Sequence, residues 1–155
     1  MIKPGNLTVI LLATVLLSAC GSAAVKPQYA FPSQRTGLAP SHASKSRLVI
    51  YNDSNMLLHG MDQTGKINVT LDGKGVGRLF MGEFLVIEVK KGRHRLNLEH
   101  TDVVSFKSSH SFNAAGRETF LRVSATITSN SASVVAKPAK FASNFDQAYP
   151  GKDDF

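Results

Sequence analysis

Cysteine is almost absent: Cys20 stands alone in 155 residues, so the chain can form no internal disulfide and no paired-cysteine metal site. Acid is scarce too. Eleven Asp and Glu face eighteen Lys and Arg, giving a formal net charge of +7. Such an excess suits anionic lipid headgroups, an acidic partner or nucleic acid. The basic residues are scattered, with no run longer than Lys90-Lys91, which places nucleic acid last of the three. Long apolar runs are also missing. The longest, Leu7 to Leu17, spans eleven residues, whereas a helix needs about 20 to cross a bilayer. The signatures of catalysis are absent as well: no Gly-rich phosphate loop, no H-E-x-x-H and no G-x-S-x-G. Asp62 and Glu118 read as solvent-facing carboxylates without a visible partner, and the serines fall at turns and on wet strand faces. Without a base and an orienting group beside them, nucleophilic catalysis has no support. The expectation is a non-enzyme with no catalytic residue, no cofactor and no metal.

What is present begins at the N-terminus. Lys3 supplies a positive start, the eleven-residue run follows, and Leu17-Ser18-Ala19-Cys20 ends it. A charged start, a compact apolar stretch and a small-residue exit form a secretory signal pattern. This one resembles the lipobox of bacterial lipoproteins, in which a small residue precedes a cysteine that is acylated and becomes the first residue after cleavage. The resemblance implies a signal peptide over 1–19 and a lipidated, palmitate-bearing Cys20. Each buried methylene contributes about 0.8 kcal/mol, so two or more acyl chains hold a protein to a membrane stably. Acylation also removes the liability of a free thiol in an oxidising compartment. Lipoproteins kept at the inner membrane of enteric bacteria carry Asp after the cysteine, and this chain has Gly21. The resemblance therefore implies the outer membrane of a Gram-negative bacterium, with the domain facing the periplasm. The competing reading is an ordinary secretory signal cut elsewhere.

After Cys20 the composition shifts to Ser, Ala, Pro, Gln and Gly, with Pro27, Pro32 and Pro40 and no hydrophobic period. Residues 20–46 thus read as the lipidated cysteine and a flexible tether. About 25 such residues have an r.m.s. span of roughly 25 to 30 Å, and about 80 to 90 Å when fully extended. Tyr29 and Phe31 are its exceptions, able to dock on the domain or a partner.

From Arg47 to about Ile127 the period is two, a strand signal. Arg47 to Tyr51 is a continuous apolar run. In Lys66 to Leu71, Ile67, Val69 and Leu71 share one face, and Asp72-Gly73 supplies a tight hairpin turn. Gly75 and Gly77 add a longer turn or a bulge. A return strand from Val76 to Met81 leads to Phe84 to Val89, apolar enough for the centre of a sheet, and Lys90-Lys91-Gly92 turns the chain. Next, His94, Leu96 and Leu98 alternate with Arg93, Arg95, Asn97 and Glu99, and Phe106, Ser108, His110 and Phe112 alternate with Ser105, Lys107, Ser109 and Ser111. A last strong strand over 119–127 turns Leu121, Val123, Ala125 and Ile127 inward. Short strands parted by turns, with no convincing helix, predict an all-β fold, a small antiparallel β-sandwich over 47–137.

The stretch Val69 to Gly77, then an apolar strand, then Gly92-Arg93-His94 leading into alternating Leu, resembles a PEGA-type module: strand, D-G turn, strand, G-x-H hairpin. It is similar also to a family of short bacterial lipoproteins whose shared domain has no assigned function. The likeness spans roughly residues 47 to 127 and rests on turn and core positions. It departs where Lys90-Lys91 stand in place of the usual proline, which bears on that turn and hardly on the fold. The resemblance implies a small β-sandwich and carries over no catalytic residue.

Three histidines, His94, His100 and His110, could bind zinc or copper if they converged. Six residues of strand separate His94 from His100 by about 20 Å, so those two cannot share an ion without a sharp bend. His94 instead reads as a ring bonding loop backbone after a turn glycine, and His110 as a half-buried side chain between two Phe. In the tail, 138–155, Phe141, Phe145 and Tyr149 fall at i, i+4 and i+8, one face of a short helix. The stripe either covers the sandwich, the favoured reading, or docks another envelope protein. The candidate partner-binding residues are Arg93, Arg95, Phe141, Phe145 and Tyr149. Function is expected to be that of an accessory or interaction module of the cell envelope, anchored to the membrane by lipid. Its partner would be an envelope protein, as in a secretion or conjugation complex, or peptidoglycan. The alternative is a module that binds glycan or inhibits an envelope lytic enzyme.

Overall fold

The computed structural model describes residues 23–31, 33–55, 64–102 and 104–148. The stretch 1–19 expected as a signal peptide, Cys20, Asp62 and Tyr149 lie outside the described residues. The elements run β1 (Lys45–Asn52), β2 (Ile67–Leu71), β3 (Lys74–Leu79), β4 (Glu83–Lys90), β5 (Gly92–Thr101), β6 (Ser105–Ala114), β7 (Glu118–Thr126), β8 (Ser129–Val135), α1 (Phe141–Asn144) and β9 (Asp146–Gln147). They form two sheets, a five-stranded one ordered β8-β7-β1-β4-β9 and a four-stranded one ordered β3-β2-β5-β6. The fold is a small all-β sandwich. Its larger sheet is mixed rather than purely antiparallel, because β1 runs parallel to β7 and β4 parallel to β9.

Period-two burial places the main core between the sheets. Leu48 and Ile50 of β1, Leu85 and Ile87 of β4, and Leu121 and Val123 of β7 meet Ile67, Val69 and Leu71 of β2 and Leu96 and Leu98 of β5. The unbroken apolar character of β1 and β4 has a second cause. The outer face of the five-stranded sheet is also covered, and Val49, Tyr51, Val86 and Phe120 form a smaller core there with Phe141.

The turns follow their residue chemistry. Asp72 and Gly73 both adopt positive φ, 49° and 78°, as a two-residue type I′ hairpin turn, whose twist matches the right-handed twist of the strands, demands. The β2–β3 ladder then slips between Val69 and Thr70, which face Gly77 and Gly75, so Val76 is the extra residue of a bulge.

Four expectations need correction. Ile127 does not face the core. The strand ends at Thr126, and Ile127, 49% exposed, sits in the turn to β8. β8 itself is unforeseen, because Ser129, Ser131 and Ser133 alternate with buried Asn130, half-buried Ala132 and exposed Val134, and it is held by backbone pairing with β7 and by Asn130.

The segment expected as a free tether is irregular but not free over its described part. Ala23 accepts from Asn68 Nδ2 (2.9 Å). The Gln28 N–H donates to Gly75 O (2.8 Å), and Gln28 Oε1 accepts from the Gly75 N–H (3.0 Å). Tyr29 Oη donates to Leu71 O (3.1 Å), and Tyr29 and Phe31 pack on the main core. Further on, Gln34 brackets Val86 through both its amide atoms, the buried Arg47 guanidinium donates to the carbonyls of Ser33 and Arg35, and Ser41 bonds Glu88. Proline and glutamine prevented strand periodicity, but they left backbone and amide groups that the sandwich binds. The segment is a strap from one sheet face to the other.

The tail, finally, is not an i, i+4, i+8 helix. α1 is a single turn because Lys140 enters it in the left-handed region (φ 57°) and Phe145 leaves it extended. Pairing wins over helix there. Asp146 N–H donates to Gly82 O (2.8 Å) and Ala148 N–H to Phe84 O (2.9 Å), satisfying the edge of β4.

Candidate functional site

Three surfaces were candidates: the arginines of β5, the histidines and the aromatic tail. The tail is a cover. Phe141 is 2% exposed, with ring centroids 5.4 Å from Tyr51, 5.1 Å from Phe84 and 5.3 Å from Phe120, all edge-on. Phe145 is half-buried against Tyr51 at 4.7 Å. A shallow groove of about 480 Å³ runs between strap and tail, lined by Gln34, Thr36, Phe84, Phe145 and Gln147 among others.

The histidines do not converge on a metal. Among the described residues no group of three His, Cys, Asp or Glu side chains is placed to hold an ion. His94 locks the corner between two hairpins: Nδ1 lies 2.6 Å from Asp72 Oδ2 and Nε2 lies 2.7 Å from Lys90 O. Both neighbours are acceptors, so the ring satisfies both only when it carries two protons. Asp72 also accepts from the Arg95 N–H (2.9 Å). Burial pulls its carboxyl upward, but the Arg95 N–H, the His94 ring and the Lys74 charge outweigh it and hold Asp72 below the ordinary range. The D-G turn and the G-x-H hairpin are thus one interlocked corner, a structural role.

His100 is fully buried, stacked on Phe106 at 5.1 Å, with Nδ1 2.5 Å from Asn130 Oδ1. Asn130 Nδ2 donates in turn to Phe106 O (3.0 Å), tying β8 to β6 across the sandwich. His110 is partly buried beside Ser108 Oγ (2.8 Å), and burial pushes its ring below the ordinary value of 6.5.

The arginines remain exposed. Alternation along β5 and β6 sends Arg93, Arg95, Asn97, Lys107, Ser109 and Ser111 to the outer face of the four-stranded sheet. Register sets the details: Arg95 pairs with Ser111, Asn97 with Ser109 and Glu99 with Lys107. The one acid among these, Glu99, is held by Lys107 at 3.4 Å and by Ser105 Oγ at 2.8 Å. A groove of about 360 Å³ crosses this face between Val25 of the strap and the Asn97 to Ser109 region. The large hydrophobics exposed among the described residues, Leu38, Val104, Ile127 and Val134, are on none of the strands of this face. It is hydroxyl- and amide-rich, and positive.

Sequence reasoning found Arg93 and Arg95 but missed the strap that borders their face. Its signal was Gly75, whose place after the D-G turn reads as turn chemistry yet serves close approach of another segment. No protein-family model, no curated protein and no solved structure matches the chain.

Proposed function

We propose that the protein is a non-enzymatic lipoprotein of the outer membrane, held by acyl chains on Cys20, whose periplasmic β-sandwich is an accessory or interaction module of the cell envelope. The observation that carries this reading is Leu17-Ser18-Ala19-Cys20, the lone cysteine at the end of a signal-like apolar run. The likeness to PEGA-type modules and to short bacterial lipoproteins agrees with it. The absence of an assembled catalytic group among the described residues gives no support to an enzyme. The partner would be an envelope protein, in a secretion or conjugation machine for example, or peptidoglycan.

The second reading, a glycan-binding or inhibitory module acting through Arg93 and Arg95, draws on the groove beside them. That groove lacks the exposed aromatic ring on which sugars stack, so the first reading is kept.

Replacing Cys20→Ser should yield an uncleaved or water-soluble form with no acyl-modified N-terminus, read by palmitate labelling and mass spectrometry. Wild-type protein freely soluble in the periplasm with an unmodified N-terminus would overturn the reading. Crosslinking in intact envelopes followed by pull-down identifies the partner.

A further inference from the structure

The strap changes where the domain sits. Ala23 is fixed to the outer face of the four-stranded sheet through Asn68 Nδ2 (2.9 Å), and Asn68 is itself held by Arg78 Nε (3.0 Å). Val25 then lies along the groove on that same face. Three peptide links separate Ala23 from Cys20, so their Cα atoms are at most about 10 to 11 Å apart. A free tether would let the domain hang many tens of ångströms from its anchor, in any orientation. A docked strap does not. It brings one particular face down beside the point where the acyl chains enter the bilayer.

That face has the matching chemistry. Arg93, Arg95 and Lys107 project from it; of the acids beside them, Glu99 is held by Lys107 and Ser105, and Asp72 by the His94 ring and the Arg95 N–H. Between them stand Asn97, Ser109 and Ser111, small donors suited to phosphate and glycerol oxygens. A cationic surface turned toward an anionic leaflet is attracted to it, most strongly within a Debye length, and side chains on one sheet face act together. The opposite face of the molecule is closed by the strap and tail, with Phe141 buried beneath.

Resting on the lipid-anchor reading of Cys20, we propose that the outer face of the β3-β2-β5-β6 sheet is a membrane-apposed surface that binds anionic phospholipid headgroups of the leaflet carrying its own anchor. The strap fixes the orientation, and Arg93 and Arg95 supply the recognition. The groove then opens toward the leaflet, and the tail side faces the periplasm.

The test uses the full acylated chain in vesicles. Acylation consumes the native cysteine, so a fluorophore on Ser109→Cys or Ser143→Cys reports one site alone. With nitroxide on the lipid headgroups, the Ser109 label should be quenched severalfold more than the Ser143 label in phosphatidylglycerol vesicles. Arg93→Glu with Arg95→Glu should abolish most of that difference, and phosphatidylcholine vesicles should weaken it. Equal quenching at both sites, or quenching untouched by the charge reversal, on protein that floats with vesicles and carries acyl mass at Cys20, overturns the proposal alone. Protein that neither floats nor carries that mass overturns the anchor reading, and the proposal with it.

Discussion

The carbonyl oxygen of Lys26 lies over Gly75 so closely that a Cβ built on Gly75 would overlap it, and that Cβ would stand only 2.7 Å from the Val25 side chain. Gly75 is thus where the strap is admitted to the sandwich. Its φ is not in the left-handed region, so space and not backbone freedom demands glycine here.

Gly75→Val should therefore release the strap while sparing the sandwich core. Lost with it are the two hydrogen bonds to Gln28 and part of the Tyr29 contact, a destabilisation of about 1–3 kcal/mol. Limited proteolysis should cut within 23–40 in the variant and spare the wild type. Equal resistance in both would show that the strap is held without this contact.

On the other side of the molecule the weight falls on Phe141. Phe141→Ala should cost about 3–5 kcal/mol, as expected for a fully buried aromatic, while Phe145→Ala costs distinctly less because that ring is half exposed. Truncation after Lys140 also strips Ala148 and the backbone bonds to Gly82 and Phe84, so it should lower the melting temperature more than either. An unchanged melting temperature on truncation would make the tail a docking element for another protein.

Much of this was legible in the sequence where side-chain chemistry and backbone demand coincide. Clean alternation at Arg93 to Glu99 and Ser105 to Phe112 translated directly into faces, and Asp72-Gly73 into its turn. Where backbone pairing alone decides, the pattern was silent. β8 has serines where a strand signal needs apolar residues, and the Phe141, Phe145, Tyr149 spacing suggested a helix that pairing along β4 stops after one turn. The strap was hidden for a related reason: it is held by Asn68, Gln28, Gln34 and Arg47 acting on carbonyls and N–H groups, contacts with no sequence period. The candidate site divided in the same way, with its arginines visible and its neighbouring segment not.

The register itself can be tested by a trio of substitutions. Leu96 and Val123 are fully buried on the inner faces, so Leu96→Asp or Val123→Asp places a bare charge in the core and should abolish cooperative folding. Asn97, one position along β5, looks outward, and Asn97→Asp should melt within a few degrees of the wild type. Similar melting temperatures for all three would refute the strand faces.

Stability should fall on acidification, and for two separable reasons. Burial keeps the His110 ring below 6.5 in the folded state. The unfolded ring takes up its proton first, so folding is penalised as the pH drops below that value. Asp72 and Glu88 act lower on the scale. Burial pulls Asp72 upward, but the bonds from Arg95 and His94 outweigh it, and Ser41 Oγ leads the donors that lower Glu88. A depressed carboxylate stabilises the fold fully above its unfolded value, 3.8 for Asp72 and 4.5 for Glu88, and that gain is lost as the pH falls through the folded value. Denaturant unfolding followed from about pH 8 to about pH 3 at constant ionic strength should show a plateau near neutrality and a decline in two stages. His110→Gln should remove the upper stage, and Asp72→Asn should shrink the lower one while also lowering the plateau, because the amide cannot replace the carboxylate facing both His94 and the Arg95 N–H. Stability that rises between pH 7 and 5 in the wild type would contradict the sign of the His110 shift, and stability that rises as the pH falls below about 4 would contradict that of the two carboxylates.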